Sequence, residues 1–148
     1  MTTDWRIRRL GPEDAAALLQ TDVFDAPSTP EGCARFLGQP EAARPDNILM
    51  VAEQAGRIVG FASGTVLDHP DKPPSLFVQE VGVNPDAQRE GIGRALVLAL
   101  RAEGRLQGCT TAWVLTEPDN TPARALYTGT GGVETVGVVL VEWDESAG

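Results

Sequence analysis

Residues 81–94 combine a short apolar strand, a turn and the start of a helix in a pattern that suits an anion. Gly91 and Gly93 open the helix without side chains, and Arg89 and Arg94 flank them. A helix N-terminus offers backbone N–H groups without internal partners and carries a partial positive charge. The glycines leave those donors accessible to a phosphate, and the arginines can add charge-assisted hydrogen bonds. The segment therefore predicts a pyrophosphate site, although glycines in this spacing also occur in purely structural loops.

A second segment with a functional pattern contains Asn120 followed by Ala125-Leu126-Tyr127. The first segment reads Gln88-Arg89-Glu90-Gly91-Ile92-Gly93 and fits the signature Gln/Arg-x-x-Gly-x-Gly/Ala. Together the two segments resemble the motifs of the GNAT superfamily of N-acetyltransferases. They stand in the family's order within residues 76–132, although Gly131-Gly132 occupies the place where the family usually has Gly-Phe. The resemblance implies an acyltransferase that moves the acetyl group of acetyl-CoA to an amine by direct attack.

The resemblance also implies where acetyl-CoA binds. Family members splay two adjacent parallel strands, here residues 76–83 and 110–115, and hold the cosubstrate in the opening. The implied binding residues are Val81, Gly82, Val83, Gln88, Arg89, Glu90, Gly91, Ile92, Gly93, Arg94, Asn120, Ala123 and Tyr127. Glu90 departs from the family, which often has a basic or small residue there, so only its backbone N–H is expected to contribute.

Two residues are candidates for proton transfer. Tyr127, the one tyrosine of the chain, matches the family's general acid toward the leaving thiolate; the structural alternative is a packed core tyrosine. Glu80 matches a carboxylate that often takes the amine proton, and it is also a candidate for substrate binding. A structural hydrogen bond, or the absence of a dedicated base, is the alternative for Glu80. Strand alternation predicts that Glu80 faces away from Gln79 and Val81.

Charge and one loop bear on the acceptor amine. The net charge of −9 argues against nucleic acid as a partner and suits a cationic substrate, although many acidic proteins are merely soluble. Asp68 and His69 lie in a loop expected to overhang the acceptor side, where they are further candidate substrate-binding residues; a solvated loop histidine is the alternative. Residues 69–75, 125–128 and 141–144 look similar to aminoglycoside 3-N-acetyltransferases, which would imply an aminoglycoside acceptor and a role in antibiotic resistance.

Other functions remain open on the sequence alone. Polyamines, amino acids, and protein N-termini or lysines are alternative acceptors. An acetyl-CoA-binding regulatory module without catalysis is a further alternative, which Tyr127 and Asn120 disfavour. One histidine and two widely spaced cysteines predict no metal site and reduced thiols. A homodimer is compatible with this kind of fold, but no residue pattern indicates it.

The elements that must position these residues are predicted to form one domain over residues 1–148. Apolar patterning predicts strands at residues 5–10, 48–53, 57–67, 76–83, 110–115 and 136–143, and helices at 11–20, from Pro30 onward, at 91–107 and at 122–128, with a polar loop at 39–47. This is a mixed α/β protein: a mostly antiparallel central sheet, a splayed parallel strand pair and flanking helices, as in the GNAT fold. No membrane span and no secretory signal is evident, so a cytoplasmic location is expected.

Overall fold

The structure is a computed structural model that describes residues 4–146. Its strands are β1 (Trp5–Arg9), β2 (Gly38–Gln39), β3 (Ala42–Ala43), β4 (Asn47–Gln54), β5 (Arg57–Leu67), β6 (Ser75–Val83) and β7 (Thr111–Val114), and its helices are α1 (Ala15–Gln20), α2 (Pro30–Leu37), α3 (Ile92–Leu106) and α4 (Thr121–Gly129). Five strands form one sheet in the order β1-β4-β5-β6-β7, in which β6 and β7 are parallel and the other neighbours antiparallel. The predicted mixed α/β class is confirmed.

The helices cover both faces of this sheet. Ile92, Leu96 and Leu100 recur every fourth residue along α3 and are fully buried against β4, β5 and β6. The N-terminal end of α3 approaches β5 at Gly60, where a side chain would lie only 3.1 Å from Ile92 Cγ2 and 3.2 Å from Leu96 Cδ1. On the opposite face, α1 and α2 pack with Phe61 of β5 in a second core. Close packing at Gly60 therefore fixes where the first turn of α3 meets the sheet.

The parallel pair opens partway along β6. Ser63 of β5 pairs with Glu80, and the next residue, Gly64, pairs with Val78, so Gln79 is an extra residue that forms a β-bulge. The pairing of β6 with β7 runs from Ser75 to Val78 and ends there. From Gln79 onward, the β7 side of β6 has no strand partner among the described residues. The expected splayed pair is therefore present, and its opening begins at the bulge.

Two local predictions were wrong. Residues 136–143 form no strand, and their large apolar side chains are exposed. Their β-branched composition favours a strand, but a strand also needs a neighbouring edge to hydrogen-bond, and these residues reach none within residues 4–146. The predicted loop at residues 39–47 overlaps the two-residue strands β2 and β3, which pair with each other, and its last residue, Asn47, is the first residue of β4.

The predicted helix at residues 11–20 begins with a short 3₁₀ turn, Pro12–Asp14, before α1. Cys33 and Cys109 are buried free thiols, as expected. None of the helices within residues 4–146 has the length and apolar character that crossing a membrane requires.

Candidate active site

A cleft of about 420 Å³ lies between the splayed end of β6, the turn before α3, and α4. Among the residues predicted to bind the cosubstrate, those that line it are Val81, Gly82, Val83, Gln88, Arg89, Gly91, Ile92, Gly93, Asn120, Ala123 and Tyr127. The two sequence motifs therefore face each other across one cavity, although about 30 residues separate them along the chain. The crossover from β6 through α3 to β7 explains this, since a parallel pair places both carboxyl ends at the same end of the sheet.

The turn before α3 has the geometry of an anion site. Arg89 and Gly91 both have left-handed backbones, with φ of 68° and 83°, so consecutive N–H groups turn toward a concave surface. No side chain caps the N-terminus of α3, and a Cβ at Gly91 would have no atom within 4 Å. Gln88 holds the turn by donating from Nε2 to the Val83 carbonyl at 3.1 Å. An open, uncapped helix N-terminus of this kind fits a phosphate group.

Two residues predicted in this site turn their side chains elsewhere. Glu90 accepts a hydrogen bond from Gln54 Nε2 at 3.4 Å, so its carboxylate points toward the end of the β4–β5 hairpin and leaves the cleft free of an opposing charge. Arg94 donates from Nη1 to the Gly129 carbonyl at 2.7 Å, at the C-terminus of α4. Arg101 donates in the same way to the Thr130 carbonyl at 2.8 Å. Arg94 and Arg101 of α3 therefore hold the C-terminal end of α4, the helix that carries the second motif.

Tyr127 projects from α4 into the cleft. Asn120 precedes this helix and caps it, because its Oδ1 accepts a hydrogen bond from the Ala123 N–H at 3.2 Å. The Tyr127 side chain is half-buried, and its hydroxyl makes no hydrogen bond to any residue of the described chain. Burial raises the pKa of this phenol above its ordinary value near 10. The hydroxyl is therefore a protonated, uncommitted donor at neutral pH.

A second cavity, of about 460 Å³, opens on the other face of β6, between the sheet and the segment that carries α1 and α2. It is lined by the aromatic residues Phe24, Phe36, Phe61 and Phe77, by the aliphatic residues Leu18, Ala26 and Leu49, by Gly32 and Cys33, and by the polar residues Ser28, Ser63, Gln79 and Glu80. Phe24 meets the ring of Phe61 edge-on, with centroids 4.6 Å apart. Among the described residues that line this pocket, Glu80 is the one carboxylate.

The bulge at Gln79 decides which way Glu80 faces. Leu76 and Val78 pack under α3, and so do Val81 and Val83 beyond the bulge, because the extra residue shifts the alternation by one. Gln79 and Glu80 consequently line the same pocket. As predicted, Glu80 and Val81 lie on opposite faces of the sheet. The prediction that Glu80 also faces away from Gln79 was wrong, because both line the same pocket.

Gln79 is anchored by a polar chain at the pocket wall. Its Nε2 donates to Thr65 Oγ1 at 3.1 Å, and Thr65 Oγ1 donates to Asn47 Oδ1 at 3.1 Å. Asn47 Nδ2 then donates to the Phe36 carbonyl at 2.9 Å. This chain ties the bulge to α2, so the strand and the helix that form the pocket are positioned together.

Comparison with known proteins places this arrangement in a family. A model of the acetyltransferase (GNAT) family matches residues 15–131. The chain belongs to this family. It is 32% identical over 80 residues to L-2,4-diaminobutyric acid acetyltransferase of Virgibacillus pantothenticus and 39% identical over 97 residues to mycothiol acetyltransferase of Saccharomonospora viridis. These stretches cover 54% and 62% of this chain but only 49% and 31% of those proteins.

Solved structures show the same GNAT fold. An aminoglycoside acetyltransferase from an uncultured soil metagenomic sample, in complex with sisomicin, superposes with a TM-score of 0.76 at 21% identity, over 95% of both chains. An aminoglycoside N-acetyltransferase in complex with CoA superposes with a TM-score of 0.74 at 19% identity, also over 95% of both chains. At these identities the likeness establishes the fold alone.

Two residues predicted to contact the substrate lie apart from both cavities of this GNAT domain. Asp68 and His69 belong to the connection between β5 and β6, and His69 Nε2 lies 3.5 Å from Ser75 Oγ at the first residue of β6. Glu80 stands five residues further along the strand, roughly 16 Å away at about 3.3 Å per residue. Asp68 and His69 therefore line neither the pocket that contains Glu80 nor the cleft that contains Tyr127.

Sequence reasoning missed most residues of the second cavity. Phe24 and Phe36 come from the first 47 residues, where no motif marks them. Phe61 and Phe77 come from β5 and β6, whose alternation is interrupted at different places: at Val59 in β5 and at Gln79 in β6. The available signal was the pair of aromatic residues within an otherwise polar stretch around α2, which indicates a side packed on the sheet but not a pocket. Within residues 4–146, no group of three or more potential metal ligands lies close enough to bind a metal.

Proposed function

We propose that the protein transfers the acetyl group of acetyl-CoA to a primary amine of a small molecule. One observation carries this proposal: two cavities flank the same strand at the point where it leaves its neighbour. Glu80 lines the pocket on one face, and the next residue, Val81, lines the cleft on the other. Since β7 no longer covers β6 beyond Val78, a reactant in each cavity can meet the other through the opening.

Two regions of the cleft suit two parts of acetyl-CoA, the pantetheine arm and the pyrophosphate. Residues 79–83 of β6 present an edge without a strand partner in the described chain, and an extended pantetheine arm can add to such an edge as a strand would. The left-handed turn at Arg89 and Gly91, with the open N-terminus of α3, suits the pyrophosphate, and Arg89 can add a charge-assisted hydrogen bond. When bound, acetyl-CoA supplies an acetyl thioester that an amine can attack.

Tyr127 and Glu80 are suited to the two proton transfers. A thiolate leaving group must be protonated, and Tyr127 holds a proton at neutral pH because a phenol has a pKa near 10 and burial raises it further. An attacking ammonium must lose a proton, and Glu80 can accept it directly or through one water. The same carboxylate attracts the protonated amine before reaction. Because attack is direct, no serine or cysteine nucleophile is required.

The acceptor pocket favours an amine with an apolar body. Four phenylalanines and two leucines line it, with Glu80 as the carboxylate at its mouth. A primary amine attached to an aromatic or branched alkyl group would place its ammonium beside Glu80 and bury its body among Phe24, Phe36 and Phe61. Apolar surface removed from water contributes about 25 cal/mol per Å², so the body of such an amine would supply most of its affinity.

An aminoglycoside is the second candidate acceptor. The net charge of −9 attracts polycations, and similar folds belong to aminoglycoside acetyltransferases, one of them in complex with sisomicin. An aminoglycoside carries several ammonium and hydroxyl groups, which need several polar partners. The pocket lining offers four polar side chains, Ser28, Ser63, Gln79 and Glu80. The acceptor panel below separates the two candidates.

The test is the release of free thiol from acetyl-CoA with a panel of amines at neutral pH. The panel contains phenylalkylamines, branched alkylamines, a diamino acid, a polyamine, an aminoglycoside and a lysine peptide. We expect turnover with primary amines, and the highest kcat/KM with those that carry an apolar body. Highest kcat/KM with the aminoglycoside would replace the first candidate by the second, and activity confined to the peptide would replace both.

Variants then connect turnover to the site. Tyr127→Phe should lower kcat by roughly 100-fold or more while leaving CoA affinity intact. Glu80→Gln should lower kcat/KM for every amine, and Glu41→Gln, which removes the same charge from the exposed β2–β3 turn, should change neither constant. Tight CoA binding without turnover on any amine, in the wild-type protein, would instead indicate a regulatory acetyl-CoA-binding module.

A further inference from the structure

The helix that carries Tyr127, α4, has little packing of its own. It spans nine residues, Thr121–Gly129, and none of them is fully buried within the described chain. Helices of this length are marginally stable in water unless tertiary contacts hold them. The contacts that attach α4 to the rest of the domain therefore decide where the Tyr127 hydroxyl lies.

The polar contacts in the first half of α4 are local. Arg124 donates to the Pro118 carbonyl at 2.7 Å and to both carboxylate oxygens of Glu134, at 2.7 and 2.8 Å. Like the Asn120 cap, these bonds join α4 to residues that immediately precede or follow it in the chain. They shape the helix and its flanking turns, but they do not attach it to α3 or to the sheet.

Two arginines of α3 hold the other end of α4. Arg94 Nη1 donates to the Gly129 carbonyl at 2.7 Å, and Arg101 Nη1 donates to the Thr130 carbonyl at 2.8 Å. Arg101 follows Arg94 by seven residues, or two helical turns, so both lie on one side of α3, about 10 Å apart along its axis. The two guanidinium groups therefore converge on adjacent carbonyl groups from different positions along α3, which fixes the end of α4 in register with it.

These carbonyl groups suit a cation. The last carbonyls of a helix lack internal partners, and the helix dipole gives them a partial negative charge. A guanidinium group donates a directional, charge-assisted hydrogen bond to such an oxygen. An apolar contact accompanies these bonds, since a Cβ on Gly93 would lie 3.6 Å from Leu126 Cδ2. Apolar contacts have no directional preference, so the arginines determine how α4 is oriented.

Thr130 connects Arg101 to Tyr127. While its carbonyl accepts from Arg101, its Oγ1 donates to the carbonyl oxygens of Tyr127 and Leu126, at 2.9 and 3.0 Å. The Gly132 N–H also donates to the Tyr127 carbonyl, at 2.9 Å. Two consecutive hydrogen bonds thus link the Arg101 guanidinium to the backbone of Tyr127.

We propose that Arg101 is a positioning residue for Tyr127: it holds Thr130, and through it the last turn of α4, so that the Tyr127 hydroxyl points into the cleft. Arg101 lines neither cavity, so it acts through α4 and not on a reactant. This role rests on the proposed function, in which Tyr127 protonates the leaving thiolate. Arg94 makes the equivalent contact, but its predicted place beside the pyrophosphate would mix two effects, so Arg101 is the residue to test.

Kinetics with a matched control test this role. Arg101→Met removes the guanidinium group, and Arg105→Met makes the same change at an exposed position of the same helix. We expect Arg101→Met to lower kcat by about 10- to 100-fold, while the KM for the amine and the affinity for CoA stay within about twofold of the wild type. Arg101→Lys should recover part of kcat, because its ammonium group can still donate to a carbonyl. Arg105→Met should match the wild type.

A double-mutant cycle with Tyr127→Phe separates positioning from a general effect on the fold. If Arg101 acts through the Tyr127 hydroxyl, Arg101→Met should lower kcat by less than about twofold once that hydroxyl is absent. An equal loss of kcat in both backgrounds would overturn the proposal. If Tyr127→Phe turns over as the wild type does, the proposed general acid is wrong, and the measurements without substrate decide whether Arg101 positions Tyr127.

Two measurements need no substrate. Tyr127 is the one tyrosine of the chain, so the absorbance change on forming the phenolate reports its pKa alone. Burial raises that pKa, so in Arg101→Met, where α4 is held less firmly, it should lie at least about half a unit closer to 10 than in the wild type. Amides in the second half of α4 should exchange with solvent about tenfold faster in Arg101→Met, whereas those of α3 should be unchanged. Arg105→Met should match the wild type in both.

Three results without substrate would contradict a positioning role. They are an unchanged phenol titration in Arg101→Met, α4 amides that exchange at the wild-type rate, and faster exchange throughout the domain, which would indicate a general loss of stability. If the protein unfolds before the phenol ionises, amide exchange decides. If Arg101→Met does not fold, Arg101→Gln, whose amide is too short to reach Thr130, takes its place in each measurement with the same expectations.

Discussion

Replacing Gly82 by alanine should move a ring of the acceptor pocket. Gly82 pairs with Phe61 across β5 and β6, and a Cβ at Gly82 would lie 2.9 Å from Phe61 Cε1 and 3.5 Å from Phe61 Cδ1. Carbon atoms pack best at about 3.5–4.0 Å, so the ring must shift by about 0.6 Å or more. Phe61 is buried and packs edge-on against Phe24, and it also lines the acceptor pocket, so the free space for this shift lies in that pocket.

The expected magnitude follows from this crowding. Adding a methyl group to a packed core costs about 1–3 kcal/mol, and the ring lies at a pocket wall that can yield, so we expect Gly82→Ala to lower the free energy of unfolding by about 1–2 kcal/mol. The KM for an apolar amine should rise by roughly five- to tenfold, which corresponds to about 1.0–1.4 kcal/mol. The affinity for CoA should stay unchanged, because the new methyl group is directed at Phe61 and not at the cleft.

Urea denaturation, acceptor kinetics and CoA titration measure the three quantities. The double variant Gly82→Ala/Phe61→Leu serves as the control, since a smaller side chain at position 61 makes room for the methyl group. We expect the double variant to lose about 0.5–3 kcal/mol less unfolding free energy than the two single variants lose together. Equal losses of CoA and amine affinity, or unchanged stability with no coupling to Phe61, would refute this account of β6.

Three further predictions concern backbone strain, catalysis and acid stability. Gly91 and Gly56 have similar left-handed backbones, with φ of 83° and 79°, and an added Cβ would have no neighbouring atom within 4 Å at either position. Replacing either by alanine should therefore lower the free energy of unfolding by about 1–2 kcal/mol. Only Gly91→Ala should weaken CoA binding, by roughly fivefold in calorimetry. Because burial raises the pKa of Tyr127, kcat should not fall until the pH exceeds about 10, and Tyr127→Phe should abolish that alkaline fall in a pH–rate profile. Burial alone would raise the pKa of Asp14, but hydrogen bonds from Arg8 and the Gly11 N–H outweigh it and lower the pKa in the folded state. The stability that Asp14 contributes is therefore present at pH values above its ordinary pKa near 3.8 and is lost as the pH falls through the folded pKa. Asp14→Asn should flatten that loss in thermal unfolding measured from pH 5 to pH 2.

The cofactor side of the site was accessible from sequence because its determinants are local. The glycines at positions 91 and 93 and the fourth-residue spacing of Ile92, Leu96 and Leu100 mark the helix and its open N-terminus within one short stretch. The strand–helix–strand order then predicts that β6 and β7 are parallel. That Asn120, Ala123 and Tyr127 line the same site was implied by the resemblance to the GNAT family and not by spacing.

The acceptor side depends on long-range packing, which residue patterns do not record. The phenylalanines of the pocket come from α2, β5, β6 and the segment before α2, and no spacing relates them. Residues 136–143 show a second limit of prediction from residue patterns. Their valines favour extended structure, but a strand forms only beside an available edge, and residues 136–143 form no strand in the structure.

The bulge at Gln79 accounts for both the opening and the chemistry of the site. Val78 faces the core under α3, so an uninterrupted strand would place Glu80 in that core and Val81 in the acceptor pocket. An unpaired carboxylate in such a core is strongly unfavourable. The extra residue turns Glu80 into the pocket and returns Val81 to the side of the cleft, and a bulge also bends its strand, at the position where the pairing with β7 ends. One inserted residue, anchored through Thr65 and Asn47, therefore lies where the pairing of β6 with β7 ends and turns Glu80 into the pocket. Under the proposed function, this position lets the carboxylate receive the amine beside the opening between the strands.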